Sequence, residues 1–238
     1  MNMAIDELLW IEASRGKPFL RFYTWADRPV LSLGYFQSAP AVRSNPRLSR
    51  LPYVRRITGG GAIVHDNELT YALALPAALA PRTNDLYLLV HRAFAAALED
   101  FGVGATVGPG MANGDRTTDQ CFQRSDRHAI RVRGEKVLGS AQRRRPESVL
   151  MHGSLLLGTS RFTPDIPGLA ELHETELSIE QLCLGFYRSV QTAFSLELAA
   201  GELPPRLVEQ AEQLANSKYR TRAWNDGAGS TLTTCRQP

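Results

Sequence analysis

The sequence predicts an α+β fold: a single domain of mixed β-sheets flanked by helices. Three observations carry this. Strand-like runs follow one another with turn residues, not helices, between most of them. Helical periodicity is confined to a few well-separated segments. No repeat and no long polar linker divides the 238 residues, a length that can bury one sizeable core.

The elements follow in order. Residues 2–14 read as a helix, with Ile5, Leu8, Leu9 and Glu12 as its stripe and Gly16 as its stop. Residues 19–25 and 30–34 read as strands separated by Asp27-Arg28-Pro29. Strand-like residues 53–56 and 62–65 flank three consecutive glycines, and Asp66-Asn67 turns the chain into a strand at 69–73. Asn84 is expected to cap a helix from about Asp85 to Phe101, with Leu89, Ala93, Ala96 and Ala97 at helical spacing. Residues 108–119 read as a mobile glycine-rich loop. Strands are expected at 128–132, around Val137-Leu138 and at 148–157, with a turn at Gly134. Ser178 and Gln181 form a capping-box pattern before a helix carrying Leu182, Phe186, Val190 and Phe194. A last helix begins after Pro204-Pro205.

Composition narrows the function classes. The longest apolar stretches are too short to span a bilayer, and the acidic N-terminus has no basic start followed by an apolar run. A cytoplasmic protein with no membrane partner is the expectation. Cys121, Cys183 and Cys235 cannot all pair within one chain, and their spacing fits no zinc site, so free thiols and no metal are expected. The formal charge of +3 is mild, with local basic clusters at Arg131/Arg133 and Arg143-Arg144-Arg145. No nucleic-acid motif accompanies them, so an acidic protein partner fits better than a nucleic acid.

The densest motif is Arg55-Arg56-Ile57-Thr58-Gly59-Gly60-Gly61-Ala62-Ile63-Val64-His65. Glycines let backbone approach a ligand with no Cβ in the way, and guanidinium groups suit carboxylate or phosphate. With Glu135-Lys136-Val137-Leu138-Gly139-Ser140-Ala141-Gln142, Met151-His152-Gly153-Ser154-Leu155-Leu156-Leu157 and Lys218-Tyr219-Arg220-Thr221-Arg222-Ala223-Trp224-Asn225, in this order, the chain resembles the lipoate–protein ligase and octanoyltransferase family, relatives of the biotin–protein ligases. The resemblance runs from Asn2-Met3-Ala4-Ile5-Asp6-Glu7, through Leu31-Ser32-Leu33-Gly34-Tyr35-Phe36-Gln37, to Asn225. It implies the biotin/lipoate protein ligase catalytic-domain architecture for residues 1–238.

What the resemblance implies for the site is specific. Cys-Phe about fifteen residues before the Lys-Val-Leu-Gly segment looks like the octanoyltransferase branch, which assigns Cys121 as acyl-carrying nucleophile. Its neighbours Gln120, Gln123 and Arg124 are polar or basic, which favours a thiolate. Lys136 is implied to bind the activated carbonyl. Gly59, Gly60, Gly61, Gly139, Ser140 and Ala141 are implied to leave room for an alkyl chain, and His65 and His152 to line the acyl region. Arg55 is a candidate anchor for a pantetheine or nucleotide phosphate. Trp224-Asn225 reads as a structural closure. Gly61 stands where some transferases of this branch carry arginine, and three glycines are commoner among the ligases.

Ligases of the family commonly carry an accessory domain after the Lys-Tyr…Trp-Asn segment, and here thirteen residues follow Asn225. The expectation is therefore octanoyl transfer from octanoyl-acyl carrier protein, through a cysteine thioester, to a lysine of a lipoyl domain. Glycine-cleavage H protein or an E2 subunit would be the acceptor, and no cofactor is required. The alternatives are an ATP- and magnesium-dependent lipoate–protein ligase subunit, a lipoyl amidotransferase, and a non-catalytic carrier-binding protein.

Overall fold

The computed structural model describes residues 1–25, 28–109, 127–174 and 177–227. Cys121, Cys235 and most of the loop expected at 108–119 lie outside the described residues. The elements are α1 (Asn2–Ala13), β1 (Phe19–Tyr23), β2 (Val30–Leu33), α2 (Ala39–Arg43), β3 (Tyr53–Arg55), β4 (Ile63–His65), β5 (Glu68–Pro76), α3 (Thr83–Glu99), β6 (Ala105–Val107), β7 (Ile130–Val132), β8 (Glu135–Arg144), β9 (Ser148–Leu156), α4 (Leu169–Leu172), α5 (Ile179–Phe194), α6 (Pro205–Leu214) and α7 (Arg222–Gly227). A π-helical turn, Ala215–Tyr219, continues α6.

Two sheets result. The larger has the order β1-β5-β9-β8-β7-β6, every neighbouring pair antiparallel. The smaller has the order β3-β2-β4, with β2 parallel to β3 and antiparallel to β4. The α+β expectation of mixed sheets and flanking helices therefore holds. Strands β5 and β9 are buried along their whole length because both faces of the large sheet are covered. Helices α3 and α5 cover one face, where Phe94 and Phe186 stack at 4.2 Å against Tyr71, Val90 and Leu182. Helix α1 and the α6 segment cover the other, through Met3, Trp10, Ala211, Ala215 and Tyr219.

Three local expectations change. Helix α3 begins at Thr83, so Asn84 lies inside it and is not its cap. Its buried stripe is Leu86, Val90, Phe94 and Leu98; of the expected stripe Ala97 is buried, while Leu89, Ala93 and Ala96 are not. Both stripes have helical period, and the one with more apolar area gains more from burial. In α1 the buried face carries Met3, Asp6, Glu7, Trp10 and Ala13; of the expected stripe Leu9 is buried, while Ile5, Leu8 and Glu12 are only half-buried. Two carboxylates can enter because each meets donors there: Arg21, Tyr23 and His152 for Asp6, and Lys218 and Tyr219 for Glu7.

The capping box holds, with Ser178 Oγ accepting from the Gln181 backbone N–H and Gln181 Oε1 accepting from that of Ser178. Cys183 is free and half-buried, and burial pushes its thiol pKa up. That suits a structural thiol.

Candidate active site

A cleft of about 380 Å³, counting its solvent-open part, lies between the two sheets and α1. Met3, Tyr23, Ser32, Arg56, Ile63, His65 and Thr70 line it, with Gly139, Ser140 and Ala141 from β8 and His152, Gly153 and Ser154 from β9. Five of the residues singled out from sequence (His65, Gly139, Ser140, Ala141 and His152) therefore meet in one place.

Register explains the meeting. Gly139 pairs with Ser154 and Ala141 with His152, so their side-chain positions share one face of the sheet. Ser140 pairs with Gly153 on the opposite face, where Ser140 Oγ meets Tyr71 Oη at 2.6 Å and His91 Nε2 at 2.7 Å. A Cβ on Gly153 would stand 2.3 Å from Ser140 Oγ and 2.7 Å from the Gly139 carbonyl oxygen, so only glycine fits beneath that serine.

The walls are polar in composition and saturated in bonding. On one side, His65 Nδ1 lies 3.0 Å from Glu68 Oε1 and His65 Nε2 lies 2.8 Å from Ser32 Oγ. A carboxylate only accepts, so Nδ1 carries a proton, and in the neutral ring Nε2 accepts from the Ser32 hydroxyl. Ser32 Oγ in turn accepts from Arg56 Nη1 at 3.1 Å. Glu68 also accepts from Thr70 and Ser154, and Trp25 stacks on His65 at 4.1 Å.

On the other side, Asp6 Oδ2 accepts from Tyr23 Oη at 2.8 Å and from His152 Nδ1 at 3.2 Å. His152 Nε2 meets Thr58 Oγ1 at 2.5 Å. By the same reasoning the Thr58 hydroxyl donates there. Burial, and then the Asp6 carboxylate, push the Tyr23 phenol well above the ordinary tyrosine range. Among the described residues, the buried side-chain atoms without a partner are Trp10 Nε1, Arg43 Nε, Ser148 Oγ and His173 Nε2, none of which lines the cleft. A wall whose donors and acceptors are spent on one another suits an alkyl chain, which offers no hydrogen bond in exchange.

The glycine loop forms one rim. Gly60 has φ +92°, a left-handed conformation that glycine adopts without strain. A Cβ there would stand 3.9 Å from Ala141 Cβ, so the loop runs close over β8. Arg56 Nη2 donates to the carbonyls of Gly59 and Gly61 at 2.8 and 2.7 Å, fixing the loop from within. Gly59 and Gly61 are thus loop-formers tied to the lining residue Arg56.

Lys136 reaches the cleft's face of the sheet by a β-bulge. Arg131 pairs with Lys136 but Ile130 pairs with Leu138, so β8 holds one extra residue there. Paired residues point to the same face, and Ile130 and Arg131 point to opposite faces. Lys136 is therefore opposite to Leu138, on the face of Gly139 and Ala141, and is 5% exposed.

Arg55 is a correction. Its side chain is fully buried and points away from the cleft. Nη1 donates to the carbonyls of Gly34, Tyr35 and Gln37, while Nε and Nη2 donate to that of Asn225. A guanidinium committed to four carbonyls is not a phosphate anchor. Asp6, Thr58, Ser32 and Glu68 are the site residues that sequence reasoning missed. Their partners come from distant segments, so no local pattern singles them out.

Fold and cleft together fit a catalytic domain of the lipoyl protein ligase type. The chain belongs to the lipoyl protein ligase A/B catalytic domain family, whose model matches residues 1–165. Among similar proteins, octanoyltransferase LipM of Carboxydothermus hydrogenoformans is 31% identical across 94% of this chain and 93% of its own. Octanoyltransferase LipM of Symbiobacterium thermophilum is 32% identical across the same shares. Of solved structures, lipoate-protein ligase A bound with ATP superposes with a TM-score of 0.74 at 21% identity, over 95% of this chain and 92% of that one. A bi-partite lipoate protein ligase from Thermoplasma acidophilum gives 0.74 at 20% identity, over 96% and 91%. Among the described residues, no helix is long and apolar enough to cross a membrane.

Proposed function

We propose that this protein is an octanoyltransferase of protein lipoylation, moving an octanoyl group from an acyl carrier protein to a lysine of a lipoyl domain. The observation that carries the reading is the cleft: saturated in its own hydrogen bonds, lined by Gly139 and Ala141, with Lys136 on the same sheet face. The two LipM relatives, similar across nearly the whole chain, supply the acyl group.

The Cys121 thiolate attacks the thioester carbonyl of the octanoyl donor. The carrier sulfur leaves as thiolate and takes a proton, and the octanoyl group remains on Cys121 as a thioester. The Lys136 ammonium stabilises the tetrahedral oxyanion, a role that needs a donor fixed before charge develops. The acceptor lysine, as free amine, then attacks the acyl-enzyme. Its C–N bond forms, the Cys121 thiolate leaves, and the amine's proton is lost to solvent. The alkyl chain lies along Gly139 and Ala141, under the glycine loop. No nucleotide and no metal enters this scheme.

Gly61, as part of a three-glycine run, favours the ligase as the second reading. The test is acylation of a lipoyl-domain acceptor with two donors in parallel. Octanoyl-acyl carrier protein without ATP or magnesium is expected to give octanoylated acceptor, and octanoate with ATP and magnesium little. The reverse pattern makes the protein a ligase.

A further inference from the structure

Resting on the acyl-cleft reading above, we propose that residues 218–225 form a two-point clasp that fixes the spacing of the cleft's walls, with Lys218 and Asn225 as positioning residues. Two pairs of sequence neighbours show the arrangement. Asp6 and Glu7 are adjacent on α1, yet Asp6 turns to the cleft residues Tyr23 and His152 while Glu7 turns away. Glu7 holds Lys218 Nζ with both oxygens, at 2.9 and 2.7 Å, and accepts from Tyr219 Oη at 2.6 Å. Arg56 and Arg55 divide in the same way. Arg56 lines the cleft and fixes the glycine loop, while Arg55 donates to the Asn225 carbonyl.

The two anchors form one unit. Asn225 Oδ1 accepts from the Arg55 backbone N–H at 2.7 Å, and Trp224 Nε1 donates to the Arg55 carbonyl at 2.9 Å. Asn225 Nδ2 donates to the Tyr219 carbonyl at 2.8 Å, and Lys218 Nζ sits 4.1 Å from the Trp224 ring centre. Tension on either anchor therefore reaches the other. At the Arg55 end the path to the cleft is short. Arg55 Nη1 holds the Gly34 carbonyl, and Gly34 lies so close beneath Gly60 that a Cβ on it would stand 2.0 Å from the Gly60 oxygen. Gly60 in turn faces Ala141. A clasp that slackens lets the glycine rim and α1 drift apart across the acyl chain.

The experiment uses the full chain, with Asn225→Ala and Lys218→Met as the loosening variants and Lys218→Arg as the conservative one. Acyl-enzyme formation is followed with octanoyl-4′-phosphopantetheine and with octanoyl-N-acetylcysteamine, which lacks phosphate. Octanoate binding is measured by calorimetry at a temperature where circular dichroism shows the proteins folded. A displaced wall is expected to raise KM by about tenfold for both donors alike and to weaken octanoate binding in proportion. Lys218→Arg is expected to stay near wild type, and kcat to change far less than KM. Wild-type KM and octanoate affinity in a folded Lys218→Met protein overturn the proposal. So does a loss confined to the phosphopantetheine donor, which would make the segment a phosphate contact. If Asn225→Ala does not fold, Lys218→Met, whose side chain is 23% exposed, decides the matter. A wild-type enzyme that turns over neither donor would refute the transferase reading instead, and octanoate affinity would still report on the clasp.

Discussion

Replacing Asp6 by asparagine keeps the shape of the cleft's back wall and removes its charge. Asp6 is 1% exposed and receives Arg21 Nη1 at 3.0 Å, Tyr23 Oη at 2.8 Å and His152 Nδ1 at 3.2 Å. An asparagine offers one acceptor oxygen and a donor group to these three donors. If the oxygen stays on Arg21, the new NH₂ faces two groups that formerly donated. Tyr23 can turn its hydroxyl to accept. His152 can accept through Nδ1 only by moving its proton to Nε2, which then donates to Thr58 instead of accepting from it. The rearrangement preserves the bond count but leaves Arg21 without its carboxylate. Breaking a buried pair costs about 3–5 kcal/mol. Arg21 is 19% exposed and also bonds Asn2 Oδ1 at 2.7 Å, so the lower end applies, about 3 kcal/mol. In a chain of this size that is a Tm drop of about 6–12 °C. Urea denaturation and differential scanning calorimetry of wild type and Asp6→Asn measure it directly. A loss below about 0.5 kcal/mol, within the range of neutral surface changes, would refute the reasoning that Asp6 is a buried, charge-bearing node.

Two further outcomes are expected. Lys136→Ala should slow acyl-enzyme formation at saturating donor by about 10²-fold, measured by quenched flow, and Lys136→Arg should also be impaired because its donors sit elsewhere; a wild-type rate in Lys136→Ala removes the oxyanion role. Stability should fall as pH rises past about 10, the ordinary tyrosine value, because burial raises the folded-state pKa of Tyr23, Tyr71 and Tyr219. Above that pH the unfolded chain has released protons that the folded one still holds, so each further unit costs stability until the folded groups titrate. Denaturation midpoints that stay level between about pH 8 and about pH 11 would contradict it.

Strands and helices were legible wherever side-chain period and turn residues agree, as in the Ser178–Gln181 box and the strands around Gly139 and His152. Register-dependent features were not. Lys136 and Gly139 share a face only because a bulge shifts the alternation between them, and nothing in Glu135-Lys136-Val137 announces it. Arg55 and Arg56 look alike in sequence; which one faces the cleft is decided by Asn225, 170 residues away in the chain. Asp6 and Glu7 lie outside the stripe expected for α1, and they are buried because their partners, Arg21, His152 and Lys218, come from distant segments. Pairing across that distance outweighs the cost of burying a carboxylate, and a local pattern cannot register it.

The central claim is that the acyl group rests on Cys121. Intact-protein mass spectrometry after brief exposure to octanoyl-acyl carrier protein reads this without any downstream step. The wild-type protein is predicted to gain one octanoyl group that neutral hydroxylamine removes, as does a Cys183→Ser, Cys235→Ser double variant, and addition of lipoyl-domain acceptor should discharge it. Cys121→Ser should gain none. A Cys121→Ser protein that still transfers octanoyl to the acceptor at the wild-type rate would falsify the assignment.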